Sequence, residues 1–205
     1  MRKKSTLAAV AVCGALLGLG AATAGATTLA TDMTVDNGFS LYVSTDPNAL
    51  GTLVGSGDSW PTTYSFSAIP LTAGVTNYIH VVGVDWGGIA GFIGDFTLSD
   101  AGFSFANGTQ HLATDTSNWT VYTDGFGGTA GTLTVANGTN GVGPWGWRND
   151  IDANAAWIWT NHGYDVNTTR YFATALQPVP VPASLLLLGS GLAGLLGLRR
   201  RQAST

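Results

Sequence analysis

Asn77-Tyr78-Ile79-His80-Val81-Val82-Gly83-Val84 decides the fold of this chain. Successive side chains of a strand point to opposite faces, so Tyr78, His80, Val82 and Val84 share one face while Ile79 and Val81 share the other. Large apolar or aromatic groups on both faces predict a strand covered on both sides, hence a central one. A turn at Thr72-Ala73-Gly74 leads into it, and Gly87-Gly88 and Gly91 break the chain after it.

Outward from this strand the same vocabulary repeats. Phe39-Ser40-Leu41-Tyr42-Val43-Ser44 follows the turn signal Asp36-Asn37-Gly38 and ends at Asp46-Pro47-Asn48. In residues 63–69, Tyr64, Phe66 and Ala68 alternate with Thr63, Ser65 and Ser67, and Pro70 closes the run. Further strands are predicted over 92–98, 109–112, 119–122, 131–135, 156–160 and 171–175. One short helix is entertained over 150–156, with Asp150 as its cap. Residues 27–177 contain no Glu and no Lys, and are rich in Gly, Thr, Ser, Asn, Asp and aromatics. Eight or nine short strands of this composition predict an all-β domain, a jelly-roll-like antiparallel β-sandwich over 27–177.

Both flanks read as addresses. Arg2, Lys3 and Lys4 precede an apolar stretch from Leu7 to Leu19, and Ala22-Thr23-Ala24 and Ala24-Gly25-Ala26 fit a small-x-small cleavage site. Residues 1–26 are therefore predicted to be a signal peptide. Val12 before Cys13 does not fit a lipidation site, and removing 1–26 also removes this single cysteine. In the remaining domain 12 aspartates face only Arg148 and Arg170, a formal charge of −10. Such a surface repels nucleic acid, so no nucleic-acid partner is expected.

Pro178-Val179-Pro180-Val181-Pro182 forms a stiff, extended linker over 178–182, because proline fixes φ and donates no hydrogen bond. Residues 183–198 carry no charge, and Arg199, Arg200 and Arg201 follow together. As a helix these 16 residues rise about 24 Å, against a hydrocarbon core of about 30 Å. A transmembrane helix is expected as a tight fit, with the arginines and the rest of 199–205 on the cytoplasmic side of the inner membrane. The preceding domain then lies outside, in agreement with the signal peptide.

Pro180-Val181-Pro182-Ala183, the hydrophobic stretch and Arg199 to Arg201 resemble the PEP-CTERM sorting signal, with Val181 where that family typically has glutamate. The resemblance implies export by the secretion machinery and recognition by exosortase, a membrane cysteine protease of organisms that make exopolysaccharide or biofilm matrix. It implies a substrate of that enzyme, anchored in the membrane before processing and then placed in the outer envelope or outside the cell. Residues 34–43 and 71–81 also look like galactose-binding-like and PA14-type jelly rolls, where an acidic turn precedes an aromatic strand. Ser44-Thr45-Asp46 stands where those domains often place a glycine, so this likeness supports the fold and assigns no ligand.

No zinc-binding or nucleophile-elbow spacing surrounds His80, His111 and His162, so no catalytic residue and no cofactor is assigned. Asp150 and Asp152 are read as a solvated turn instead of a glycosidase pair. No metal is assigned, with Asp32, Asp36 and Asp46 as weak calcium candidates beside Asn37, and Asp150, Asp152 and Asn154 as a second group. Trp86 beside Gly87-Gly88, and Trp145, Trp147 and Arg148 after a glycine-proline turn, are candidate ligand contacts, because flat aromatic faces stack on sugar rings. Trp157 and Trp159 read as core. The expected function is that of a non-enzymatic envelope or matrix protein, structural or adhesive and associated with exopolysaccharide; a carbohydrate-binding module and a secreted hydrolase are the alternatives.

Overall fold

The computed structural model describes residues 26–161, 164 and 167–180. The expected signal peptide, apart from Ala26, the expected helix over 183–198 and the basic tail over 199–205 lie outside these residues. Two antiparallel sheets make up the described chain. The first has the order β10-β11-β6-β1-β4, with β8 also on β6; the second has the order β3-β2-β5-β12-β7, with β9 also on β12. These strands are β1 Thr28–Asp36, β2 Gly38–Ser44, β3 Thr52–Gly57, β4 Tyr64–Pro70, β5 Asn77–Val84 and β6 Gly91–Leu98. They continue with β7 Phe103–Phe105, β8 His111–Ala113, β9 Thr120–Tyr122, β10 Thr134–Thr139, β11 Ala156–Trp159 and β12 Thr169–Pro178.

Asn77–Val84 is β5, and it lies between β2 and β12 as its two-sided pattern requires. Leu41, Val81 and Phe172 stand in one row across these three strands and are fully buried. Opposite them, the first sheet turns Leu29, Met33, Val35, Phe92 and Phe96 into the core. Phe92 bridges the sheets, with its ring 5.1 Å from Phe172 and 5.2 Å from Trp119. On the other face of β5, His80 is buried beneath Phe126, with ring centroids 3.8 Å apart. Burial holds its pKa below the ordinary histidine value.

Three departures from the expected pattern have local causes. In β4 the register against β1 shifts: Leu29 pairs Ile69, whereas Thr31 pairs Phe66. Two residues, Ser67 and Ala68, thus oppose Ala30, and Ala68 takes φ 53°. This bulge turns Ile69 to the core and Ala68 to solvent, reversing the face expected for Ala68. β3 was hidden in the sequence by its glycines. A Cβ at Gly55 would stand 2.2 Å from the Phe66 ring and one at Gly57 2.4 Å from the Tyr64 ring. Their absence lets the edge strands β3 and β4 of the two sheets close on each other.

The helix entertained over 150–156 is a turn that leads into β11. Asn140 Nδ2 donates to the carbonyls of Arg148 and Ile151, each at 2.8 Å, so a buried side chain replaces the helical donors those carbonyls would need. Asn140 Oδ1 accepts the Arg148 amide at 2.8 Å, and the segment is clamped on both sides.

Candidate functional site

The end of the sandwich where the chain passes from β1 to β2 and from β5 to β6 gathers most of the candidate contact residues. The Asn37 amide donates to the Val84 carbonyl at 2.9 Å, and the Trp86 amide donates to Asn37 Oδ1 at 2.6 Å. Asp85 Oδ1 accepts the Gly87 amide at 2.7 Å, and Gly87 and Gly88 take φ 127° and 93°, a region that favours glycine. The tight turn leaves the Trp86 side chain 59% exposed. Beside it lies an open groove of about 390 Å³, whose lining includes Ser40, Ser56, Asp58 and Tyr64.

The 140–152 segment brings a second set to the same end. Trp145 stacks on Trp157, centroids 4.3 Å apart and planes 24° from parallel, and its indole Nε1 donates to Asp36 Oδ2 at 2.7 Å. Arg148 lies over the Trp60 ring at 5.6 Å and the Trp157 ring at 5.9 Å. Its guanidinium donates to the Pro61 carbonyl and, at 3.2 Å, to the Trp145 carbonyl. Burial draws its pKa below the ordinary arginine value.

The four candidates therefore divide. Trp86 and Trp147 are exposed, Trp147 at 56%, and can present a flat face to a ligand. Trp145 and Arg148, read as candidate ligand contacts, are buried and present little surface to a ligand. Their partners Trp60, Trp157 and Asp36 are distant in sequence, and nothing local reveals them. Trp157 and Trp159 are fully buried, as read.

The carboxylates also divide. Asp32 lies within β1 and accepts the Ser65 hydroxyl, and Asp46 caps its own turn by accepting the Asn48 amide at 2.8 Å. Asp36 is buried at the end of β1, and among the described residues these three are not gathered into one group. Burial raises the pKa of Asp36, the Trp145 indole opposes this, and the charge of Asp85 adds to the rise.

Sequence reasoning missed a group that the fold assembles from three elements. Asp95 of β6, His111 of β8 and Asp152 place ligand atoms within 4.8 Å of one another. His111 Nε2 is 2.6 Å from Asp95 Oδ1, and Asp95 Oδ2 accepts the Asp152 amide at 3.0 Å. Asp152 Oδ1 in turn accepts the Asn154 amide at 2.6 Å. The trio can hold a cation or serve as an ion-paired brace between β6, β8 and the turn before β11.

The described residues form a two-sheet antiparallel β domain, and the chain continues into a C-terminal address. That address is the PEP-CTERM protein-sorting motif, which matches residues 178–201. The chain carries the motif of exported proteins processed at a membrane by exosortase. Pro180 is described, while Val181, Pro182, Ala183, Arg199, Arg200 and Arg201 lie outside the described residues. Among the described residues no helix is long and apolar enough to cross a membrane. No curated protein and no solved structure matches the chain.

Proposed function

We propose that the β-sandwich is cargo: an envelope or extracellular-matrix structural or adhesive module, delivered by exosortase sorting and associated with exopolysaccharide or biofilm. The observation that carries this reading is the junction between domain and address. The sorting motif starts at residue 178, which is also the last residue of β12. β12 pairs with β5, β7 and β9, so the address leaves directly from an interior strand of the second sheet. On this reading the helix over 183–198 holds the protein in the inner membrane until the tail is processed, and the domain itself catalyses no reaction. Cells lacking the protein are expected to form a less cohesive matrix that sheds polysaccharide; an unchanged matrix would remove this role.

A carbohydrate-binding module is the second reading, favoured by the exposed Trp86 beside a groove lined with hydroxyls and Asp58. Here envelope polysaccharide quenches or shifts tryptophan fluorescence in the parent protein. Trp86→Ala and Trp147→Ala each weaken binding by about tenfold, equivalent to about 1.4 kcal/mol. A flat titration with every envelope glycan would leave the structural reading alone.

A further inference from the structure

We propose that the buried carboxylates of Asp36 and Asp85 are the two anionic ligands of one calcium-class divalent cation, held where the chain crosses between the sheets. Asp36 is 6% exposed and Asp85 1%. Each has one oxygen satisfied, Asp36 Oδ2 by the Trp145 indole and Asp85 Oδ1 by the Gly87 amide. The other oxygen of each, Asp36 Oδ1 and Asp85 Oδ2, is buried with no hydrogen-bond partner. Neither carboxylate forms an ion pair with a described basic residue, although Arg148 is buried at the same end of the sandwich.

The two residues sit at one locked corner. Asn37, next to Asp36, bonds both the Val84 carbonyl and the Trp86 amide on either side of Asp85. The charge of Asp85 is felt at Asp36. Each of these buried carboxylates keeps one oxygen without a partner, and a bound cation supplies it. Oxygen-only donors select a hard cation, and among the described residues no third His, Cys, Asp or Glu joins the pair. Calcium accepts this donor set, because it completes its shell with carbonyl, amide and water oxygens. Exported modules commonly bind it with dissociation constants on the order of 10⁻⁴–10⁻³ M.

The test uses the full chain in detergent, stripped with EDTA and titrated with CaCl₂ and, separately, TbCl₃. One calcium per chain, a raised Tm and tryptophan-sensitised terbium emission that calcium displaces are expected, since the Trp145 indole is bonded to Asp36. Asp85→Asn abolishes these signals, whereas Asp46→Asn and His111→Ala retain them. If Asp85→Asn does not fold, retained binding in His111→Ala supports the site and lost binding overturns it in favour of the Asp95–His111–Asp152 group. Absence of any calcium effect on the parent, with Asp85→Asn as stable as the parent in EDTA, also overturns it.

Discussion

Phe92→Ala is expected to lower the stability of the folded domain by about 3–5 kcal/mol, the range for emptying a phenylalanine site in a packed core. Phe92 is fully buried in β6 and touches Phe96 of its own sheet, together with Phe172 and Trp119 from the side of the second sheet. Truncation thus removes the ring that joins the two layers, and its neighbours cannot collapse into the gap without moving a strand. A native domain is stable by about 5–15 kcal/mol in total, so the loss is a large share of that. Urea unfolding of parent and variant measures it, with the midpoint falling at an unchanged slope. A change below about 1 kcal/mol would mean that the two sheets do not pack through this aromatic cluster.

The second large effect concerns the address. Replacing Arg199, Arg200 and Arg201 by alanine removes the basic end of the sorting motif, which spans residues 178–201. On the proposed reading those arginines also fix the orientation of the preceding apolar stretch in the membrane. The expected result is near-complete loss of the processed form, with precursor retained in the membrane fraction or degraded. Immunoblots of membrane, envelope and medium fractions check it; normal amounts of processed product would show that the tail is not what sorts the domain.

The parts of the fold that could be read were those where one strand carries its own signal. Asn77 to Val84 has apolar or aromatic groups on both faces, and it became β5, with paired strands on both sides. β1 is equally periodic, with Leu29, Thr31, Met33 and Val35 inward, but in the sequence Asp32 and Asp36 read as weak calcium candidates instead of strand residues. Their side chains are accommodated by Ser65 and Trp145, residues that only the folded chain brings near. β3 was missed because its glycines look like turn residues until the rings of Phe66 and Tyr64 are seen occupying the space.

The candidate site was legible to the same extent. Exposure of Trp86 follows from the glycines beside it, a local cause. Trp145 and Trp147 have similar neighbours, and only the partners at Asp36 and Trp157 separate a buried indole from an exposed one. Asp85 carries no distinguishing signal in the sequence, since an aspartate after a strand ordinarily caps a turn. One of its oxygens does so, and the other is buried, which only the folded chain reveals.

The most direct measurement is the mass of the protein recovered from native envelope and from medium, which reports both ends in one experiment. A product lacking residues 1–26, with its C-terminus altered within or after the sorting motif, is what a delivered β domain requires. The full 205-residue chain recovered from the cytosol, with either apolar flank packed inside it, would contradict the account.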